Sequence, residues 1–101
     1  MKTKQELVKL GLEGVKVDEI MVLQEKMLEE AVKFQFRKKS GEVRDAIGTL
    51  KKELMRQPDG TLYEFKGSTK PAPANTIAFF DCEKGAWRSF IATEFIGLVA
   101  A

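Results

Sequence analysis

Apolar and polar residues alternate cleanly from Val32 to Arg37. Val32, Phe34 and Phe36 fall on one side, and Lys33, Gln35 and Arg37 on the other. A period of two over six residues predicts a half-buried strand. Lys39-Ser40-Gly41 then suits a three-residue turn, with the glycine in the left-handed position. The chain returns as a second strand from Val43 to Leu50. That loop sets Lys38 opposite Glu42, Phe36 opposite Arg44, Phe34 opposite Ala46 and Val32 opposite Gly48. It leaves Val43, Asp45 and Ile47 on the outer face, beside Arg37, Gln35 and Lys33.

A second hairpin is predicted over Asn75 to Ile91, which holds the only tryptophan, the only cysteine and three of the seven phenylalanines. Glu83-Lys84-Gly85 suits the same loop. It pairs Cys82 with Ala86, Asp81 with Trp87, Phe80 with Arg88, Phe79 with Ser89, Ala78 with Phe90 and Ile77 with Ile91. Paired residues share a face. One face carries Ile77, Phe79, Trp87 and Ile91 with Asp81 and Ser89; the other carries Ala78, Phe80, Cys82, Ala86 and Phe90 with Arg88. Both are largely apolar, so the hairpin needs cover on both sides. A one-residue slip swaps these faces. Phe36, Gly41 and Arg44 recur 44 positions later as Phe80, Gly85 and Arg88, and each hairpin is expected to set an Arg across from a Phe, its stem packed on the ring.

The N-terminal third changes period. Residues 3–10 read as a short helix, with Thr3 and Glu6 as a capping box and Gly11 and Gly14 as its end. Asp18 is expected to start a second helix running to about Ala31. Ile20, Met21, Leu23, Met27, Leu28 and Ala31 form one helical stripe. This stripe either covers a face of the sheet or, with Met21 and Met27 as an adaptable surface, makes a dimer. After the first hairpin, Lys51 to Arg56 suits one helical or 3₁₀ turn, and Pro58-Asp59-Gly60 a reverse turn. Thr61 to Phe65 reads as a short strand or ordered loop, and Lys66 to Ala74 as an extended connection. Glu94 to Val99 closes the chain as a strand, with or without a helical turn before it. Short strands, Gly turns and two-sided hydrophobicity predict a small barrel, SH3-like or OB-like.

Composition narrows the class. The 101 residues suffice for one domain, and 44% hydrophobic with 32% charged content fits a folded soluble one. No apolar run nears the roughly 20 residues of a membrane span, and Met-Lys-Thr-Lys-Gln-Glu is not followed by the apolar stretch of a signal peptide. A single cysteine precludes an internal disulfide and fits a reducing, cytoplasmic compartment. Histidine is absent, which removes the commonest general base and the usual zinc sites. There is no carboxylate loop for another metal, no phosphate-loop or nucleophile-elbow motif, and no cofactor motif. A non-enzymatic protein is expected. Cys82 reads as a buried structural thiol rather than a nucleophile; Asp81 and Glu83 read as turn formers, and Glu42 and Asp45 as partners for basic residues across the first hairpin.

Net charge is +2, with residues 1–31 at −2 and residues 32–101 at +4. Seven cations fall within 20 residues: Arg37, Lys38, Lys39, Arg44, Lys51, Lys52 and Arg56, against Glu42, Asp45 and Glu53. On one barrel face, with Arg88, they would hold phosphates, and Tyr63 or Trp87 would stack bases. The alternatives are a solvated charged face, a core position for Trp87, and an Arg88 that only packs over Phe80.

Phe34-x-Phe-Arg-Lys-Lys-x-Gly41, with Arg44 and Gly48-Thr49-Leu50, then Phe80-Asp-x-Glu-Lys-Gly-x-Trp-Arg-Ser-Phe90, resembles a family of small WYL-related proteins. The resemblance runs over about residues 18–99, and Gly-x-Trp-Arg-Ser-Phe with the upstream Gly-Thr-Leu is its most specific part. It implies an SH3-like, Sm-like β-barrel from gut bacteria, their phages and mobile elements. The family name is borrowed from WYL domains, implicated in ligand or nucleic-acid sensing by bacterial regulators; this chain has no Trp-Tyr-Leu triplet. The nucleic-acid role is thus an implication of fold.

The expectation is a single α+β domain: a small SH3-like barrel of about five short antiparallel strands over 32–101, with a helical segment over 1–31 packed on it. It is expected to act, as monomer or homodimer and away from membranes, as a nucleic-acid or nucleotide-binding accessory protein. The alternative is a protein-interaction module using edge strands, the 66–74 loop or the N-terminal helix.

Overall fold

The computed structural model describes residues 1–64 and 73–99. Two helices, α1 (Lys4–Lys9) and α2 (Gly14–Met27), precede strands β1 (Val32–Arg37), β2 (Val43–Thr49), β3 (Thr76–Asp81), β4 (Ala86–Ile91) and β5 (Phe95–Leu98). Short 3₁₀ turns lie at Lys52–Leu54 and Ala92–Glu94. The strands form one antiparallel sheet in the order β4-β3-β2-β1-β5. The fold is α+β, and no ladder between β4 and β5 closes the sheet among the described residues.

α1 begins as expected. Thr3 Oγ1 accepts from Glu6 N at 3.2 Å, and Thr3 N donates to Glu6 Oε1 at 3.1 Å. Gly11, at φ +91°, turns the chain out of it. Gly14 does not end α1; it opens α2, four residues before the expected start at Asp18. The earlier start adds Val17 to the buried stripe of Ile20, Leu23 and Met27. α2 also stops before Ala31, because the sheet takes over its last carbonyls. Leu50 N donates to Met27 O at 2.8 Å. Thr49 Oγ1 lies 3.1 Å from both Met27 O and Glu30 O. Leu28 and Ala31, expected in the stripe, are exposed, and Met27 lies in the core.

The β1–β2 hairpin has the expected register at every pair, including Phe36 opposite Arg44. The β3–β4 hairpin is shifted by one residue. Its pairs are Asp81–Ala86, Phe80–Trp87, Phe79–Arg88, Ala78–Ser89, Ile77–Phe90 and Thr76–Ile91. The loop therefore has four residues, Cys82 to Gly85, and Cys82 sits in the turn instead of on a strand face. The cause is Asp81. Its Oδ1 accepts from Glu83 N and Lys84 N at 3.0 and 3.1 Å, and its carbonyl accepts from Gly85 N at 2.8 Å. With its carboxylate capping two successive amides and its carbonyl taking the third, Asp81 becomes the last ladder residue. The expected repeat of an Arg across from a Phe survives with a different partner: Arg88 faces Phe79, not Phe80.

With this slip, each face of the β3–β4 hairpin has its own cover. On the inner face Ile77, Phe79 and Phe90 join Phe34, Phe36 and Phe95, whose rings meet at centroid distances of 5.1 to 6.3 Å. Leu7, Val17, Ile20, Leu23 and Met27 close this core from the helical side. On the outer face the connection after β2 folds back. Buried Met55 lies in that connection, as does Tyr63, edge-on to Phe80 at 5.1 Å. Phe80 in turn meets Trp87 edge-on at 5.9 Å. Thr61 and Leu62 form an ordered loop with one bridge, Arg56 to Leu62. Phe65 and most of the 66–74 connection lie outside the described residues.

β5 is preceded by the 3₁₀ turn and carries a bulge at Ile96, between the Phe36–Phe95 and Gln35–Gly97 pairs. The Ile96 carbonyl accepts from Lys16 Nζ of α2, which also lies 5.7 Å from the Phe95 ring centre. The helix thus holds the edge strand through a cation over an aromatic ring.

Candidate functional site

A groove of about 500 Å³ opens at one end of the sheet, between the β1–β2 turn and the start of β3. Its floor is apolar, from Phe36, Phe90 and Ile91. Five cations line it: Arg37, Lys38, Lys39, Arg44 and Arg88. Local rules explain how they converge. Arg37 ends β1, Lys38 and Lys39 enter the three-residue turn, and Arg44 lies on β2 opposite Phe36. Arg88 reaches the same place from β4, because the one-residue slip puts it on the face of Phe79 and Phe90. Asn75, Thr76 and Ser89 add polar groups to the rim.

These cations are not equivalent. Arg44 is committed: its Nη2 donates to Asp81 Oδ2, and its guanidinium lies 5.9 Å from the Phe36 ring centre. Arg37 donates to Gly41 O at 3.1 Å and lies 3.9 Å from Glu94. Lys38 is 4.0 Å from Glu42. Exposed pairs at such distances are weak and screened by salt, so Arg37 and Lys38 retain most of their attraction for an incoming anion. Lys39 and Arg88 are exposed, and no carboxylate of the described residues lies within ion-pair distance of either.

The other expected cations lie elsewhere. Lys51, Lys52 and Arg56 are in the connection after β2, and none lines the groove. Tyr63 and Trp87 belong to the outer-face cluster around Phe80, so neither offers a ring to this groove. Asp81 is a turn former, as expected, and is also fully buried as the partner of Arg44. Glu42 and Asp45 pair across the first hairpin, to Lys38 and to Gln35. Asn75, Thr76 and Ser89 had no sequence signal beyond their place beside a turn. The Arg44–Asp81 pair, 37 positions apart, had none at all.

Cys82 is half-buried, and its thiol is held above its ordinary range. Desolvation is the main cause, followed by the negative charges of Asp81 and Glu83. Such a thiol is a poor nucleophile at neutral pH. Among the described residues no group of three or more carboxylate or thiol side chains could hold a metal ion, and no helix is long and apolar enough to cross a membrane.

A family model described as WYL_2, Sm-like SH3 beta-barrel fold, matches residues 20–96, about three quarters of the chain. The chain belongs to the WYL_2 family. No curated protein and no solved structure matches it. The matched span of this WYL_2 domain starts within α2 and runs into β5, so it takes in both hairpins and every residue of the groove. Two residues of the Gly48-Thr49-Leu50 motif that carries part of the resemblance have a structural reason. A Cβ on Gly48 would come within 2.7 Å of Phe79 and 3.0 Å of Phe34, so only glycine lets those rings meet edge to face. Thr49 next to it ties β2 to the end of α2.

Proposed function

We propose that this WYL_2 domain is a non-enzymatic binding protein whose groove takes the phosphates of a nucleic acid or nucleotide. The observation that carries this reading is the convergence of Lys39 and Arg88 from separate hairpins onto one groove, where no carboxylate of the described residues neutralises them. Cations held without counter-charges in a concave site raise the local concentration of anions. Arg37 and Lys38 extend the cationic wall. The non-enzymatic part rests on the lack of histidine and of a nucleophile motif, and on a cysteine whose thiolate is disfavoured. A protein partner is the second reading, supported by Val8 and Val15, which are 57% and 69% exposed on the helical side.

Fluorescence anisotropy of labelled oligonucleotides at low and physiological salt tests the proposal. Four groove cations on a single strand give a slope of log affinity against log salt of about −3, from roughly −0.7 per phosphate. Lys39→Ala with Arg88→Ala, in a chain shown to be folded, is expected to remove about half of that slope. Arg44 is left in place because Asp81 depends on it. No binding at micromolar protein in low salt would end this reading and leave a protein partner, whose apolar contacts salt does not weaken in this way.

A further inference from the structure

A second cavity, of about 290 Å³, lies beside Trp87. Leu50, Ala78 and the Trp87 indole give it apolar walls, and the N-terminal segment at Met1 and Lys2 closes one side. That segment is pinned in place. Buried Gln24 accepts from Lys2 N and donates to Lys2 O, both at 2.9 Å, so its amide stands in for a neighbouring strand. Thr76 lines both this crevice and the cationic groove. A single residue at the start of β3 therefore separates a site for phosphate from a slot walled by an aromatic ring.

Resting on the nucleic-acid reading of the groove, we infer that the Trp87 crevice is a base subsite: one nucleobase of a single strand enters it while the flanking phosphates lie on Lys39 and Arg88. A paired duplex keeps its base faces stacked inside and cannot present one to such a slot. Two of the polar side chains around the crevice, Gln24 and Thr76, are already engaged. The Gln24 amide holds Lys2, and Thr76 Oγ1 donates to Pro73 O at 2.8 Å. What the crevice offers is an apolar, aromatic surface, and stacking on it tolerates any base. The ligand class is single-stranded nucleic acid with little base preference.

Trp87 is the only tryptophan, so tryptophan emission reports on the one ring that walls the crevice. The full chain is titrated with a single-stranded oligonucleotide, a duplex of the same length and inorganic polyphosphate. Anisotropy or competition reads groove occupancy, and Trp87 emission reads the crevice. The single strand is expected to change Trp87 emission with the same midpoint as the anisotropy signal. Polyphosphate and duplex are expected to occupy the groove and leave the emission unchanged. Ala78→Leu fills the crevice from an exposed strand position without removing packing. It is expected to weaken single-strand binding about tenfold, within the range of stacking on one aromatic ring, and to leave polyphosphate binding as it was. If the single strand binds with unchanged Trp87 emission, and Ala78→Leu binds it as well as the parent does, the base subsite is overturned and the groove stands. If none of the three probes binds, the groove reading fails, and the base subsite fails with it.

Discussion

Arg44 Nη2 donates to Asp81 Oδ2 across β2 and the β3–β4 turn, with the aspartate side chain fully buried and the arginine only 18% exposed. The other ion pairs of the described residues have both side chains 42% exposed or more. This one joins two tasks. It holds Arg44 against the Phe36 ring at the groove wall, and it anchors the carboxylate that caps the four-residue turn. The register of β4, and with it the arrival of Arg88 in the groove, depends on where that turn begins.

Removing one partner of a buried pair leaves the other charge uncompensated, at about 3–5 kcal/mol. Arg44→Ala is expected to reach that range, because Asp81 would keep only its turn amides. Asp81→Ala is expected to cost about 3 kcal/mol, since Arg44 retains some contact with water. Asp81→Asn keeps an acceptor for Glu83 N and Lys84 N and falls below both. Urea unfolding midpoints at one pH give the ranking. Changes within about 1 kcal/mol for both alanine variants, the size of an exposed pair, would show that the pair does not organise the turn.

Gly48 and Thr49 carry a prediction about how the helices are held. Gly48→Ala drives a methyl into the Phe34–Phe79 contact, and overpacking of this kind costs about 1–3 kcal/mol. Thr49→Val keeps the shape and removes a buried hydroxyl that serves Met27 O, Glu30 O and Lys51 N. Leaving such groups unsatisfied costs about 1–3 kcal/mol. The two should differ in where the loss appears. Hydrogen exchange should quicken in the last turn of α2 for Thr49→Val and across β2 and β3 for Gly48→Ala. Equal, global loosening in both variants would refute the clamp.

The first hairpin was legible residue by residue because alternation and turn chemistry agree there: Val32, Phe34 and Phe36 face inward and Lys39-Ser40-Gly41 closes the loop. The second hairpin has almost the same turn letters, yet its register differs by one. Asp81 is recruited by Arg44 from another strand, and no local pattern encodes that. The span of α2, Gly14–Met27, departs from the pattern in the sequence for a similar reason. Its last carbonyls are captured by Thr49 and Leu50, a tertiary contact that propensity does not contain. At the candidate site the cations of the first turn stand out in the sequence. Their separation from Lys51, Lys52 and Arg56, and their meeting with Arg88, appear only when the two hairpins are placed in one sheet.

Cys82 should react slowly. Burial and the charges of Asp81 and Glu83 hold its thiol above the ordinary range, so the thiolate fraction at mildly alkaline pH is smaller than in a free thiol. Alkylation by iodoacetamide, followed by mass spectrometry, should lag behind that of the urea-unfolded chain and catch up only at higher pH. Glu83→Gln removes one negative neighbour and should speed it. The same shift acts on stability. Below the unfolded thiol's pKa both states are protonated and this contribution is fully present. As pH rises through that value and on through the raised folded pKa, the unfolded chain releases its proton first and stability is lost. Cys82→Ser should flatten that alkaline decline. A thiol as reactive in the folded chain as in urea would contradict the burial.

Arg44 is committed to the buried Asp81, but among the other expected cations charge alone does not say which meet a ligand; position does. Lys38 and Lys39 lie on the groove and Lys51 and Arg56 do not. All four are surface positions whose loss should leave the fold intact, which permits a direct comparison. Lys38→Ala with Lys39→Ala is expected to weaken oligonucleotide binding and make its salt slope shallower by about 1.4 on a single strand. Lys51→Ala with Arg56→Ala removes the same net charge from the connection after β2. It should change the long-range attraction slightly and leave the slope as it was, because no phosphate is displaced from those side chains. Both double variants have the same total charge, so unequal slopes isolate contact from net attraction. Equal losses in the two would mean that the bound strand runs along the connection as well, and would extend the interface beyond the groove onto the outer face of the sheet.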